Sequence, residues 1–214
     1  MTDVVARFVA GQTANILKFF EYLGSRWPGL GRLYGRLFYG PMVRREVELA
    51  GVDARDRILH LGCGPLPLTA MALAEAGFRV DAVDKDPDAA SSAVRAVSKN
   101  GLDRSISIIC ADGREVDYSA YDAVWVSFHV YPRRECLERI LATLNGGSRV
   151  IYRNPRGWRK QFYSHVEPAS LGGAGGVCST RQALAKETVM MQKESQTGGA
   201  FSEEPHAASS VAGE

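Results

Sequence analysis

The sequence predicts an α/β protein with a mostly parallel sheet, because short apolar segments alternate with helical segments from Arg57 onward. Residues 58–61 form an apolar run that ends in a glycine turn and is followed by a helical segment over 68–76. Residues 79–84 then alternate apolar and polar positions as a strand does, and residues 88–99 have helical spacing. Parallel strands joined in this way end at one edge of the sheet, where such proteins bind ligands.

The same alternation continues to about residue 153 and then weakens. The remaining elements predicted in this part are strands at 105–110, 123–126 and 149–152 and a helix at 134–144. Four glycines in residues 172–176 predict a loop, and residues 187–193 predict a last strand.

Three regions differ in composition. Residues 1–50 predict an N-terminal helical cap, and eight of the chain's aromatic residues lie in its first forty positions. Residues 51–193 form the predicted α/β domain. Residues 194–214 are rich in glycine, alanine and serine and contain no lysine or arginine, which predicts a disordered tail.

The overall composition argues against several classes of protein. The chain has 214 residues, of which 45% are hydrophobic and 23% charged, with a net charge of +2. So small a charge argues against nucleic acid or membranes bound through bulk charge. The four cysteines are widely spaced, so neither a metal site nor a disulfide framework is expected. No apolar run is long enough to span a membrane and no signal peptide pattern is present, so we expect a cytoplasmic protein.

Four residues at successive strand ends predict a nucleotide-type site. Gly62 permits a tight turn after the first strand, and Gly64 lets the backbone approach a ligand closely. Asp84 ends the second strand, where an acid can accept both ribose hydroxyls. Asp112 follows the third strand and can accept a hydrogen bond from an adenine amino group. A turn without any ligand would explain the two glycines alone, but the ordered set favours a ligand.

NAD is the first alternative for such a loop. The third glycine of a G-x-G-x-x-G loop, which lets the helix pack closely under a pyrophosphate, is replaced here by Pro67. A short, stiff loop of this kind suits a ligand with an amino-acid tail better. An NAD-linked oxidoreductase is therefore disfavoured.

These motifs resemble those of the class I S-adenosylmethionine (SAM)-dependent methyltransferases over residues 57–153. The resemblance implies a Rossmann-like sheet of seven strands with SAM over the glycine loop, its ribose at Asp84 and its adenine near Asp112. That family usually has an acid two residues before the first glycine, whereas this chain has His60. The residues expected to contact the cofactor are His60, Gly62, Cys63, Gly64, Pro65, Leu66, Asp84, Lys85, Asp112, Gly113 and Ser127.

A narrower resemblance is to nicotianamine synthases, which have the same fold but transfer the aminopropyl group of SAM. The glycine loop over 64–70, GPLPLTA, is similar to theirs, and the stretch over 153–168 is similar more loosely. That family has a longer helical part before the sheet, which holds a tyrosine and a glutamate around the aminopropyl group. Tyr39, Glu46 and Glu48 are the candidate counterparts here.

Because a sulfonium activates each attached carbon, the protein mainly has to align a nucleophile and exclude water. The candidate catalytic residues are His129, just past the fourth strand, and Tyr39 and Glu46 in the cap. His129 is expected to have a pKa near neutrality. The plainer interpretation of Glu46 and Glu48 is a solvated helix face. A basic run can hold a carboxylate or phosphate of the acceptor, and it comprises Arg153, Arg156, Arg159 and Lys160.

The sequence therefore predicts a SAM-dependent transferase acting on a small molecule that can be anionic, with methyl transfer as the first choice. Aminopropyl transfer and a non-catalytic SAM-binding module are the alternatives. The aromatic residues and arginines of the cap predict a lid that selects the acceptor, and they are also compatible with contact to a membrane surface. The identity of the acceptor and the oligomeric state stay open.

Overall fold

A computed structural model describes residues 39–161, 163–182 and 186–195. Most of the predicted cap and the predicted tail lie outside these residues. The elements in chain order are α1 (Gly40–Ala50), β1 (Arg57–Leu61), α2 (Leu68–Glu75), β2 (Arg79–Asp84), α3 (Pro87–Lys99), β3 (Ile106–Cys110), β4 (Ala123–Val126), α4 (Arg133–Thr143), β5 (Arg149–Pro155), β6 (Ala174–Gln182) and β7 (Lys186–Lys193). Two short 3₁₀ turns, Gly157–Gln161 and Pro168–Ser170, lie between β5 and β6.

One seven-stranded sheet has the order β3-β2-β1-β4-β5-β7-β6. The first five strands are parallel to one another, and β7 runs antiparallel between β5 and β6. The chain reverses its direction of travel across the sheet between β3 and β4, so β1 and β4 are neighbours at the switch point. This arrangement confirms the predicted Rossmann-like, mostly parallel α/β fold of seven strands.

Local signals explain where the helices begin and end. Asp86 caps α3, because its carboxylate accepts a hydrogen bond from the Asp88 backbone N–H at 3.0 Å. Pro41 occupies the first turn of α1, where its missing N–H costs nothing. Gly51 ends α1 in the left-handed conformation at φ 57°, and its N–H donates to the Val47 carbonyl oxygen.

The central strands β1, β4 and β5 are buried on both faces, as parallel strands covered by helices must be. One core cluster includes Leu137 and Ile140 of α4 with Val124 and Val150 of the sheet. The other includes Val43 of α1, Leu73 of α2, Ala93 of α3 and Trp125 of β4. Helix α1 therefore packs into the same core cluster as α2 and α3.

Two boundaries differ from the sequence prediction for a physical reason. Strand β5 continues through Arg153 and Asn154 to Pro155, because both polar side chains are buried and hydrogen-bonded. The predicted glycine loop over 172–176 is wrong from Ala174 onward, where β6 begins against β7. An edge strand tolerates such glycines because its other side is not packed against another strand. Within the residues that the structure describes, no helix is both long and apolar enough to cross a membrane.

Candidate active site

The glycine turn after β1 forms the floor of the site. Gly62 has φ 75° and Gly64 has φ 66°, a region that favours glycine. The N–H groups of Gly62 and Cys63 both donate to the Val83 carbonyl oxygen, which fixes the turn to the end of β2. A side chain at Gly62 would meet Val130 Cγ2 at 2.5 Å, whereas a Cβ at Gly64 would meet nothing within 4 Å. Gly64 thus faces open space where a ligand can approach the backbone.

The carboxylate of Asp84 stabilises this turn by accepting hydrogen bonds from two backbone N–H groups. Its Oδ2 accepts a hydrogen bond of 2.7 Å from the Gly64 N–H, and its Oδ1 accepts one of 3.1 Å from the Asp86 N–H. Each carboxylate oxygen has a second lone pair, so Asp84 retains acceptor capacity for two ligand hydroxyls. The free lone pairs of the Asp84 carboxylate can therefore accept hydrogen bonds from the hydroxyls of a ribose placed above the turn.

A cavity of about 380 Å³ opens above the turn at the carboxyl edge of the sheet. Every residue predicted to contact the cofactor lines it, from His60 and the glycine turn to Ser127. Of the predicted catalytic residues, Tyr39 and His129 also line it. The structure thus brings together residues from the ends of β1, β2, β3 and β4, as the strand order requires.

The end of the cavity at Asp112 and Gly113, where the sequence predicts the adenine, is more crowded than expected. Asp112 forms a salt bridge of 2.7 Å with Arg114 and also accepts hydrogen bonds from the Arg114 N–H and Nε. These hydrogen bonds hold the pKa of Asp112 well below its usual range. A Cβ at Gly113 would lie 2.8 Å from Leu61 Cδ1, so only glycine fits there without displacement. Asp112 keeps fewer free lone pairs for an adenine amino group than Asp84 keeps for ribose.

His60 stands where the methyltransferase pattern has an acid. Its Nε2 lies 2.9 Å from Ser127 Oγ, and its Nδ1 is buried without a partner within the described residues. Burial, with the nearby charge of Arg153, lowers the pKa of His60 to about 3. The ring is neutral at physiological pH and offers one unused polar atom beside the glycine turn.

His129 differs from the expectation of a pKa near neutrality. Loss of hydration around the ring, together with the charges of Lys186, Arg133 and Arg159, lowers its pKa to about 4, although the residue stays exposed at the surface of the cavity. Its ring packs edge-on against Phe128 at 5.5 Å and lies 5.4 Å from the Tyr163 ring. His129 is therefore a neutral imidazole in an aromatic wall of the cavity.

Glu46 is fully buried, so the expectation of a solvated charge is wrong for this residue and holds only for the exposed Glu48. Both Glu46 oxygens accept from the Arg153 guanidinium at 2.7 Å, a two-pronged ion pair. Trp125 Nε1 and Thr188 Oγ1 donate to the same carboxylate at 3.2 Å and 2.8 Å. Glu46 lies outside the cavity wall, so its predicted role as a base lacks a direct path to a bound reactant.

The sequence of this chain is similar to those of known proteins over most of the described residues. The family model described as nicotianamine synthase protein matches residues 39–190. The chain belongs to the nicotianamine synthase family. An L-histidine 2-aminobutanoyltransferase of Pseudomonas aeruginosa is 31% identical over 158 residues, which are 72% of this chain and 59% of that protein. The chain thus spans about three-fifths of the length of this relative.

Solved structures agree with the family. The synthase MtNAS in complex with MTA and tNA matches with a TM-score of 0.69 and 26% identity, over 82% of this chain and 67% of that one. A variant of MtNAS has been solved in complex with SAM, in keeping with the predicted cofactor. An O-methyltransferase of Thermotoga maritima shares the fold at a TM-score of 0.59 and 18% identity, covering 72% of this chain and 65% of that one. The resemblance to nicotianamine synthases is confirmed as membership of the family, and the resemblance to class I methyltransferases is confirmed for the fold.

The structure divides the basic run predicted over residues 153–160. Arg153 points inward to Glu46, while Arg156 and Arg159 are half-buried and Lys160 is exposed. The four basic residues therefore do not form one surface. Lys186, which sequence analysis did not select, lines the cavity instead. The last strand was predicted to begin at Glu187, one residue too late to include it.

We predict that Lys186 makes folding stability depend on pH. Burial, together with the charges of Arg153 and Arg159, lowers the pKa of Lys186 to about 8, below the value of an unfolded chain. Between pH 8 and 10 the unfolded chain then binds more protons than the folded protein, so stability rises with pH. Relative to Lys186→Met, the wild type should gain on the order of 1–2 kcal/mol across this range in urea unfolding.

Lys193→Met is the matched control, because Lys193 lies at the other end of the same strand. Its stability should follow the wild type at every pH. If the stability of Lys186→Met had the same pH profile as that of the wild type, Lys186 would have the same pKa in the folded protein as in the unfolded chain.

Proposed function

We propose that this protein transfers the four-carbon amino-acid portion of SAM to the nitrogen of an amino-acid acceptor such as L-histidine. Of the two transfers that the sequence left open, this is the one favoured by membership of the nicotianamine synthase family and by the similarity to an L-histidine 2-aminobutanoyltransferase. The observation that carries the proposal is one continuous cavity, with a nucleoside end at Asp84 and a cationic, aromatic end at His129 and Lys186.

SAM supplies a sulfonium whose carbon–sulfur bond breaks as the acceptor nitrogen donates its lone pair to carbon. The electron pair of that bond goes to sulfur, which leaves a neutral thioether, and the acceptor nitrogen releases a proton. The residues of the site determine which of the three carbons on sulfur faces the acceptor. Gly64 and Asp84 fix the nucleoside, and the buried His60 and the half-buried Ser127 lie where the amino-acid tail begins.

Two residues are candidates for contact with the acceptor nitrogen. His129 is neutral, so it can accept a hydrogen bond from an amine without carrying a charge. Tyr39 lines the same cavity immediately before α1 and lies close enough to Arg153 to influence its pKa. Their roles are part of the proposal, as is a cytoplasmic location.

The products formed from SAM distinguish the proposed transfer from methylation. We expect incubation with SAM and L-histidine to yield methylthioadenosine and an L-histidine adduct enlarged by the four-carbon amino acid, measured by mass spectrometry. Methylation would give S-adenosylhomocysteine and a methylated acceptor instead. A control without acceptor measures the spontaneous breakdown of SAM.

Formation of S-adenosylhomocysteine in step with acceptor loss would overturn the proposed transfer and restore methylation. Tight binding of SAM with no product from any of the twenty amino acids would favour a binding module. The match covers 59% of the L-histidine 2-aminobutanoyltransferase, so a missing product could reflect the part of that protein that is not matched. The same assay on that relative is therefore the positive control.

A further inference from the structure

The end of the cavity away from Asp84 carries excess positive charge. Arg153 is neutralised by Glu46, through two hydrogen bonds of 2.7 Å. Among the described residues, Arg133 and Lys186 have no carboxylate within ion-pair distance. Both cations lie against the ring of Phe128, with Arg133 Cζ at 5.2 Å and Lys186 Nζ at 5.3 Å from its centroid. Of these two cations only Lys186 lines the cavity, so it is the one whose missing counter-ion a bound ligand can supply.

The two cations differ in what they can offer a ligand. Arg133 is buried, and its guanidinium donates to the carbonyl oxygens of Phe128 and Arg153 at 2.9 Å each. These hydrogen bonds stabilise the backbone at Phe128 and Arg153, so the N–H groups that make them are not available to a ligand. Within the described part of the chain the ammonium of Lys186 makes no hydrogen bond, and the residue lines the cavity. Lys186 thus presents up to three unused N–H donors to whatever enters.

The position of Lys186 separates it from the nucleoside end. It begins β7 and pairs in register with Pro155, the last residue of β5. Asp84 ends β2, which is four strands away from β7 in the sheet order. At a strand spacing of about 4.8 Å this is roughly 19 Å along the sheet edge between the two backbones. The ribose of SAM at Asp84 therefore leaves the Lys186 end for the second reactant.

We propose that Lys186 binds the carboxylate of the acceptor and so makes the enzyme select acceptors that carry one. The proposal rests on the proposed function, which supplies an amino acid as the second reactant. Phe128 and His129 bound the same space, so a carboxylate there would be partly shielded from water and held more strongly than at the surface. Burial and then the charges of Arg153 and Arg159 lower the Lys186 pKa, and a bound carboxylate would offset both effects.

The test compares an acid with its amide. L-Histidine and L-histidinamide differ only in the carboxylate, and the variants are Lys186→Met, Lys186→Arg and the control Lys193→Met. We expect Lys186→Met to raise KM for L-histidine at least tenfold and to leave KM for L-histidinamide nearly unchanged. Lys186→Arg should restore most of the preference for the acid, and Lys193→Met should behave as the wild type.

SAM carries a carboxylate of its own, so its dissociation constant is measured for each variant by titration calorimetry. We expect it to change less than threefold in Lys186→Met. Weaker SAM binding with an unchanged preference for the acid would assign Lys186 to the tail of SAM and overturn the proposal. So would a wild type that does not distinguish the acid from the amide. These outcomes are independent of the product measured, because S-adenosylhomocysteine formed with an intact acid preference would reject only the proposed transfer.

Discussion

Replacing Glu46 with alanine is expected to lower the free energy of unfolding by about 3–5 kcal/mol. The substitution leaves the Arg153 guanidinium buried without its counter-ion, and it removes the acceptor of Trp125 Nε1 and Thr188 Oγ1. An unpaired buried charge costs more than the pair contributes, because both members have already lost their water. Urea unfolding should show a lower midpoint with an unchanged slope.

Glu48→Ala is the matched control, since Glu48 lies on the same helix but is exposed. It should shift the free energy of unfolding by less than about 0.5 kcal/mol. Glu46→Gln provides a folded variant if the alanine does not fold, because the amide keeps one acceptor oxygen. Equal stabilities of the Glu46→Ala and Glu48→Ala variants would mean that the ion pair does not form in solution.

This ion pair shows what sequence analysis could not provide. Nothing in the local pattern distinguishes Glu46 from Glu48, because both lie on one amphipathic helix next to arginines. The partner of Glu46 lies 107 positions away along the chain. Only the order of the strands places Arg153 of β5 beneath α1, and that order is a property of the whole fold.

The meeting of Gly62, Gly64, Asp84 and Asp112 in one cavity was predictable for the opposite reason. Each of these residues follows directly from the end of a strand, and β2 and β4 have the predicted boundaries. Glycines at positive φ and an acid at the next strand end are local signals whose meeting point follows from parallel strand order. The pKa of His129 was missed because it depends on the loss of hydration around the ring and on the charge of Lys186, and only the assembled fold brings these together.

Asp84→Ala is expected to weaken SAM binding about 10- to 100-fold. The carboxylate lies at the end of β2 in the cavity wall, and the proposed contacts to two ribose hydroxyls are charge-assisted hydrogen bonds of about 1.5–3 kcal/mol. The same carboxylate receives the Gly64 and Asp86 N–H groups, so its loss also loosens the turn on which the nucleoside rests. Titration calorimetry measures the dissociation constant, and Asp88→Asn, at an exposed position in the first turn of α3, is the control.

A second ligand separates the two contributions of Asp84. Methylthioadenosine and its 2′-deoxy analogue differ by one ribose hydroxyl, so the wild type should bind the deoxy compound at least fivefold more weakly. In Asp84→Ala the two compounds should bind equally, because the acceptor for that hydroxyl is gone and only the loosened turn remains. If the variant still discriminates between them, another group holds the ribose, and Asp84 acts only by shaping the glycine turn. Unchanged binding of both compounds would place the nucleoside elsewhere in the cavity, away from the end of β2.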